Sequence, residues 1–144
     1  MEERFRSFRS RPCALLKGTL LRVLIVEDEC LIALDYEQAV TDAGYTALGP
    51  AWDIASALDV ARSTKPDVAL IDMHLKDGPT GNAIAMTLHR DHGVRPVFVT
   101  GNLVMVTPEA KAVSLALLPK PVSLATLMAV LNAAARLTDG EHSI

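Results

Sequence analysis

One stretch decides how the rest of the chain is interpreted: Pro66-Asp67-Val68-Ala69-Leu70-Ile71-Asp72-Met73-His74-Leu75-Lys76-Asp77-Gly78. Its apolar run, 68–71, follows a Pro-Asp break and is typical of a strand buried on both faces, which indicates a parallel sheet covered by helices. The strand ends on Asp72 and opens into a glycine-containing loop. Because open α/β sheets bind ligands at the carboxyl ends of their strands, Asp72 is a candidate site residue.

Length and composition indicate a single domain. A chain of 144 residues is large enough to bury most of its apolar surface without disulfides or a structural metal. Half of the residues are hydrophobic and 4% are aromatic, so the core is aliphatic. No apolar run is long enough to span a bilayer, and no signal peptide is visible. Cys13 and Cys30 fit neither a metal site nor a disulfide framework, which predicts a reducing cytoplasm.

The charge is distributed unevenly. The net charge is −3, yet residues 1–20 carry five basic and two acidic side chains, which leaves −6 for the remainder. An acidic body argues against nucleic acid as a partner, because phosphate binding needs a basic face. We interpret residues 1–19 as a disordered basic arm or an artefact of the assigned start. A basic arm for an acidic partner or a membrane surface stays open.

Strand and helix signals alternate along residues 20–138, which we take as the domain, with residues 139–144 as a tail. Runs rich in β-branched residues predict strands at 20–26, 45–48, 68–71, 95–100 and 114–118. Helices are predicted at 30–43, after a cap at Asp53, at 82–90, as a short or mobile helix near Pro108, and after a cap at Ser123. This alternation predicts an α/β fold, a (βα)5 doubly wound parallel sheet with helices on both faces.

Helical spacing also predicts which side chains face the core. In the first helix these are Leu31, Leu34, Ala39 and Val40. In the last helix they are Leu124, Leu127, Met128, Leu131 and Ala135. The other helices are expected to bury Ile54, Leu58 and Ala61, and Ile84, Ala85 and Leu88.

Polar residues follow four of the predicted strands. Glu27 and Asp28 come after the first, Asp72 after the third, Thr100 after the fourth and Lys120 after the fifth. Three carboxylates at one sheet edge repel each other unless a divalent cation lies among them, and oxygen ligands suit Mg²⁺. Lys120 and Thr100 would then neutralise a phosphoryl group on a nucleophilic Asp72. Each residue alone fits a plain structural role, but their joint position favours a site.

The motifs that carry this chemistry are Val26-Glu27-Asp28-Glu29, Ile71-Asp72-Met73, Val99-Thr100-Gly101 and Lys120-Pro121. In this order they resemble the receiver domain of two-component response regulators, over about residues 20–138. The resemblance implies a flavodoxin-like sheet with strand order 2-1-3-4-5. It also implies that Asp72 accepts a phosphoryl group from a histidine kinase.

The resemblance implies further roles at the site. Asp28, Asp72 and the backbone carbonyl of His74 would bind Mg²⁺ directly, and Glu27 would act through water. Thr100 and Lys120 would contact the phosphoryl oxygens, and the Lys120-Pro121 bond would be cis. The side chains of His74 and Asn102 occupy positions that tune the phosphoryl lifetime, although His74 is equally well explained as an exposed loop residue.

The chain departs from the family at one position. An aromatic residue usually stands three before the lysine and swings inward on phosphorylation, whereas this chain has Leu117. The run Arg95–Gly101 resembles a subgroup of single-domain receivers, found with atypical histidine kinases, that lack this aromatic switch. We therefore hypothesise that phosphorylation orders residues 102–116 instead.

The chain ends near Ile144, after the fifth predicted helix, so we expect a stand-alone receiver that signals to an unknown downstream protein, shuttles phosphoryl groups or drains them from a kinase. It is not expected to be an enzyme beyond self-phosphorylation from a donor and autodephosphorylation. A homodimer through the last two helices stays open.

The alternatives are a non-phosphorylated pseudo-receiver and a Mg²⁺-dependent phosphohydrolase with Asp72 as nucleophile. Such an enzyme typically needs an acidic residue where this chain has His74. A flavin-binding domain is disfavoured, because Glu27-Asp28-Glu29 would repel phosphate.

Overall fold

The computed structural model describes residues 20–142. Its strands are β1 (Arg22–Val26), β2 (Thr46–Ala51), β3 (Val68–Ile71), β4 (Arg95–Thr100) and β5 (Ala116–Pro119). Its helices are α1 (Cys30–Asp42), α2 (Ile54–Thr64), α3 (Gly81–His92), α4 (Pro108–Val113) and α5 (Leu124–His142), with a 3-10 turn at Leu103–Met105. The predicted arm, residues 1–19, lies outside the described residues, as do the last two residues of the predicted tail.

The strands form one parallel sheet in the order β2-β1-β3-β4-β5. The predicted α/β class, the doubly wound arrangement and the flavodoxin-like order are therefore confirmed. The register aligns Val26 of β1 with Ile71 of β3, and Thr100 of β4 with Pro119 of β5. The residues that follow these strands consequently meet at a single edge of the sheet.

The sheet separates two apolar cores. On one face α1 and α5 cover a cluster that includes Val23, Leu70 and Leu131. On the other face α2, α3 and α4 cover a cluster that includes Ile71 and Phe98. Both faces of β3 are thus buried, as its uninterrupted apolar sequence predicts. Among residues 20–142, no helix is both long and apolar enough to cross a bilayer.

Three of the predicted helix starts are confirmed by capping bonds. The Asp53 carboxylate accepts a hydrogen bond from the Ser56 amide at 2.8 Å, and the Asp53 amide bonds the Ser56 hydroxyl in return. The short α4 begins at Pro108, with the preceding threonine as its cap. The Ser123 hydroxyl accepts a hydrogen bond from the amide of Thr126 at 3.1 Å. Each cap satisfies an amide that has no partner within its helix.

The predicted core faces of α1 and α5 are partly wrong. Leu31 is 78% exposed, Leu34 57% and Leu124 63%. The buried residues of α1 are Ala33, Tyr36, Ala39 and Val40. Residues two positions apart in a helix are turned by about 200°, so burial of Ala33 and Tyr36 directs Leu31 and Leu34 to solvent. Leu124 is the first residue of α5, and Leu127, one turn further on, is the first of the predicted residues that is buried.

The two outer strands each contain a proline, Pro50 in β2 and Pro119 in β5. The prediction ended β2 at residue 48, but the strand continues to Ala51 through a bulge that sets Gly49 and Pro50 opposite one residue of β1. Gly49 has a φ of +99°, which only glycine adopts without strain. An edge strand tolerates the bulge and the missing amide donor of proline. The Gly49-Pro50 and Lys120-Pro121 bonds are cis.

Candidate functional site

Backbone hydrogen bonds extend the sheet one residue past β1 and β3 and so position the acidic residues. The Glu27 amide donates to the carbonyl of Ala51 at 2.8 Å, and the Asp72 amide donates to the carbonyl of Val26 at 3.1 Å. Glu27, Asp28 and Asp72 thereby converge, and each offers a carboxylate oxygen within 4.8 Å of the others. We call these three residues the acidic cluster.

Lys120 reaches the acidic cluster from the end of β5. Its Nζ donates to Glu27 Oε1 and to Asp72 Oδ2, both at 2.9 Å. The Lys120 amide donates to the carbonyl of Thr100 at 3.0 Å, which fixes the backbone from which the side chain extends. The backbone at the end of β5 therefore holds the Lys120 side chain against the acidic cluster.

The second oxygen of each lysine-bound carboxylate is also fixed. Asp72 Oδ1 accepts a hydrogen bond from the amide of Met73 at 2.7 Å. Glu27 Oε2 accepts one from the amide of Glu29 at 3.1 Å. Because charge-assisted hydrogen bonds are short and directional, the two side chains have little rotational freedom.

Burial sets the electrostatics of the cluster. The Glu27 side chain is almost fully buried, and this desolvation raises the pKa of its carboxyl against the opposing effect of Lys120. Burial alone would lower the pKa of Lys120, but its hydrogen bonds to Glu27 and Asp72 outweigh burial and raise it. The ammonium stays charged at neutral pH. Tyr36 of α1 lies alongside, and burial raises the pKa of its hydroxyl to about 12.

The donor set fits a hard divalent cation. One ammonium faces three carboxylates, so the ionised cluster has negative charge left to neutralise. All three side chains offer oxygen, and Asp28 and Asp72 are only partly buried, which leaves room for the water ligands that Mg²⁺ retains. The acidic cluster is therefore consistent with a receiver-type metal site.

The remaining predicted residues border the cluster without bonding to it. Thr100 is buried, and its hydroxyl accepts a hydrogen bond from the amide of Asn102 at 3.2 Å. The side chains of His74 and Asn102 are exposed on the two loops beside the cluster. Within residues 20–142, no described hydrogen bond joins any of these three side chains to a carboxylate of the acidic cluster.

Leu117 occupies the position where the resemblance implies an aromatic switch. It is half-buried against the core formed by α2, α3 and α4. In the sheet it lies beside Phe98 of β4, whose ring is completely buried. The aromatic side chain beside Leu117, that of Phe98, is thus part of the core.

Two residues next to the cluster were missed by the sequence analysis. Gly81 starts α3 in direct contact with the end of β3, where an added Cβ would lie 2.6 Å from the Asp72 carbonyl oxygen and 2.8 Å from Met73 Cα. A Thr-Gly pair before an apolar helix was the available signal. Asn82, the next residue, bonds the main chain around residue 106. No local sequence pattern predicts this interaction of Asn82, because its partners are distant in sequence.

The fold and the site together define a doubly wound α/β protein with a carboxylate cluster and a lysine at the carboxyl edge of a 2-1-3-4-5 sheet. Residues 23–132 match the family model of the response regulator receiver domain. The chain belongs to this family and is a receiver domain of two-component signalling, with the acidic cluster at the expected phosphorylation site. Such domains are generally non-enzymatic signalling modules, and the family implies a histidine kinase partner in general.

Similar proteins include regulators from two bacteria. The transcriptional regulatory protein PdtaR of Mycobacterium tuberculosis is 33% identical over 116 residues, 78% of this chain and 56% of that protein. The phyllosphere-induced regulator PhyR of Methylorubrum extorquens is 35% identical over 79 residues, 54% of this chain and 30% of that protein. The chain therefore spans less than two thirds of either relative.

Solved structures with the same fold include two receiver domains. The PhyR response regulator domain of Erythrobacter litoralis matches with a TM-score of 0.74 and 26% identity, over 81% of this chain and 91% of that one. The signal receiver domain of a modulated diguanylate cyclase from Desulfovibrio desulfuricans matches with a TM-score of 0.72 and 30% identity, over 85% and 98%.

Proposed function

We propose that this receiver domain takes a phosphoryl group from a histidine kinase onto Asp72 in a Mg²⁺-dependent reaction. It then signals through protein contacts, passes the group on or drains it from the kinase. The observation that carries the proposal is the position of Asp72, hydrogen-bonded to the Lys120 ammonium and grouped with two further carboxylates at the sheet edge. The exposed thiol of Cys30 agrees with the reducing cytoplasm as its location.

In this reaction a carboxylate oxygen of Asp72 attacks the phosphorus of a phosphohistidine. An O–P bond forms, the P–N bond breaks, and the imidazole leaves and takes up a proton from solvent. The Met73 amide holds the other oxygen of Asp72 and so orients the nucleophile. Lys120 and the Thr100 hydroxyl are proposed to contact the phosphoryl oxygens, which Lys120 would do by exchanging part of its ion pair for the transferred group.

The metal would be held by Asp28, Asp72 and the backbone carbonyl of His74, with Glu27 acting through water. When bound, Mg²⁺ supplies charge neutralisation for the phosphoryl oxygens. Burial of Glu27 and its bond to Lys120 keep this carboxylate in place whether or not Asp28 and Asp72 bind a ligand. The exposed side chains of His74 and Asn102 lie on the loops that follow β3 and β4 and are proposed to tune access of water, and hence the phosphoryl lifetime.

The proposal is tested by incubating the full chain with Mg²⁺ and acetyl phosphate and measuring the intact mass. We expect one added phosphoryl group that disappears on chelation of the metal and in Asp72→Ala. The matched control is Asp59→Ala, which removes an exposed carboxylate from α2 and should leave the adduct unchanged. The decay rate of the adduct separates a long-lived signal from a rapid sink.

Two results would contradict the proposal. Hydrolysis of acetyl phosphate without an adduct would favour the phosphohydrolase, in which His74 would occupy the position where such an enzyme typically has an acidic residue. Neither adduct nor hydrolysis, with Mg²⁺ binding shown by titration, would favour a pseudo-receiver that docks partners without being phosphorylated.

A further inference from the structure

The segment between β4 and β5 is attached to the fold at few points. We call residues 102–113 the connecting segment; it contains the 3-10 turn and α4. Val106 and Ala110 are its fully buried side chains, whereas Val104 is 89% exposed. A segment with few buried anchors opens at a lower free energy than the core strands. The bonds that hold it therefore govern its position.

The Asn82 side chain clasps this segment on both sides of Val106. Its Nδ2 donates to the carbonyl of Met105 at 2.9 Å, and its Oδ1 accepts from the amide of Thr107 at 3.1 Å. Within residues 20–142, no other described side chain from outside the segment bonds the main chain of residues 103–107. Thr107 in turn caps α4, so the clasp also fixes where that helix begins.

The clasp starts from a helix turn that touches the phosphoacceptor backbone. Gly81 donates its amide to the carbonyl of Met73 at 3.1 Å, and its Cα lies so close to the Asp72 carbonyl that a Cβ does not fit. Asn82 is the next residue of α3. Movement of the backbone at residues 72–73 must therefore move the first turn of α3, because this contact has no slack to absorb it.

We propose that Asn82 is the positioning residue that couples Asp72 to the connecting segment and takes the place of the aromatic switch absent at Leu117. The inference rests on the proposed function, since it requires a phosphoryl group on Asp72. A group added there changes the backbone at 72–73, the contact at Gly81 transfers the change to α3, and the two bonds of Asn82 transfer it to residues 105–107. Asn82 itself does not touch the reacting atoms.

The test is hydrogen exchange of the full chain, with and without Mg²⁺ and beryllofluoride as the phosphoryl mimic. In the wild-type chain the mimic should change exchange in both 72–78 and 102–113. In Asn82→Ala the unmodified segment should exchange about tenfold faster, because two hydrogen bonds are lost. The change caused by the mimic should persist in 72–78 but disappear from 102–113.

Two further variants separate coupling from simple support. Asn82→Asp keeps the acceptor for the Thr107 amide and loses the donor to Met105, so about half of the response should remain. Asn132→Ala is the matched control: it removes an exposed asparagine of α5 whose Oδ1 accepts a hydrogen bond from the Tyr45 hydroxyl, its one described side-chain bond, and should leave the response intact.

The outcomes distinguish this inference from the proposed function. If 102–113 responds to the mimic equally in Asn82→Ala and in the wild-type chain, Asn82 merely supports the segment and the coupling is wrong. If the wild-type segment does not respond although acetyl phosphate modifies Asp72, the coupling also fails and the proposed function stands. If Asp72 takes no phosphoryl group at all, both fail.

Discussion

Two loops leave the same edge of the sheet and are built differently. In the β3–α3 loop, residues 73–80, the backbones of Leu75 and Gly78 bond in both directions at 2.9 and 3.0 Å. The amide of Lys76 donates to the carbonyl of Trp52 at 3.0 Å, and the Asp77 carboxylate accepts from the amide of Ile54 at 3.0 Å. Among the described residues, hydrogen bonds join the β4–α4 loop, residues 101–107, to α3 through a single side chain, that of Asn82.

This difference in attachment suits the two loops to different roles: the first can hold Asp72 in position, and the second can change its conformation. Asp72, the proposed nucleophile, directly precedes the loop that is tied to its neighbours along its length, as a reaction that depends on sub-ångström placement requires. The second loop buries one side chain fully, that of Val106, and the two hydrogen bonds of Asn82 tie its main chain to α3, so less free energy should be needed to move it than to move the first loop. A receiver domain with these two loops can hold Asp72 in place while the surface formed by the β4–α4 loop changes.

The largest expected effect comes from the glycine at the end of the first loop. Gly81→Ala places a methyl group against the Asp72 backbone, so we expect a loss of about 2–3 kcal/mol in the free energy of unfolding. Misplacement of Asp72 should also slow adduct formation from acetyl phosphate by about tenfold or more. Urea unfolding and intact-mass kinetics measure the two effects.

The matched glycine is in the second loop. An added Cβ at Gly101 meets nothing within 4 Å, so Gly101→Ala should change stability by less than about 0.5 kcal/mol. Equal losses in the two variants would show that both loops are equally constrained and would remove the basis of the comparison.

The second test compares the apolar residues of the two loops. Leu75 is buried in the core beneath the first loop, so Leu75→Ala should cost about 2–3 kcal/mol through lost packing and a cavity. Val104 is exposed, and Val104→Ala should cost less than about 0.5 kcal/mol. Chemical denaturation of both variants gives the difference; a large loss in the valine variant would mean that this side chain is covered in solution.

The smallest effect concerns the carboxylate that ties the first loop to α2. The pKa of Asp77 is lowered from its ordinary value by the bond from the Ile54 amide and then by the Thr80 hydroxyl. A lowered pKa means that its contribution is present above the unfolded pKa, near 4, and is lost as the pH falls through the folded pKa.

Asp77→Ala should therefore lose about 0.5–1 kcal/mol at pH 7, the size of a helix-cap bond. The gap between variant and wild type should be full above the unfolded pKa, near 4, and should close as the pH falls through the folded pKa. Unfolding curves at several pH values measure this, with Asp59→Ala as the exposed-acid control. A gap that is constant with pH would assign the effect to packing and not to the charged carboxylate.

Much of the fold was predictable because its signals are local. The apolar run at 68–71 indicates a strand buried on both faces, and parallel topology then requires Glu27, Asp72 and Lys120 to meet at one edge. Caps at Asp53 and Ser123 are likewise visible within a few residues. The general position of the acidic cluster follows from these features alone.

What was not predictable depends on contacts between distant residues. The spacing of Leu31 and Leu34 is compatible with a buried face, but the tertiary packing of α1 buries the smaller Ala33 and the larger Tyr36 instead. Strand β2 can pass through Gly49 and Pro50 because, within residues 20–142, it pairs with another strand on one side alone. Asn82 looks like an ordinary polar helix residue until residues 105–107 are placed beside it.

The prolines in the outer strands have a consequence for behaviour in solution. A free strand edge offers unpaired amides and carbonyls to another molecule and can seed aggregation. Pro50 removes an amide donor from one edge of the sheet and Pro119 from the other, and the bulge at β2 bends that edge further. Neither edge is therefore a regular template for sheet extension by a second copy. Self-association of this domain should instead use helix surfaces, which can separate again without exchanging strands.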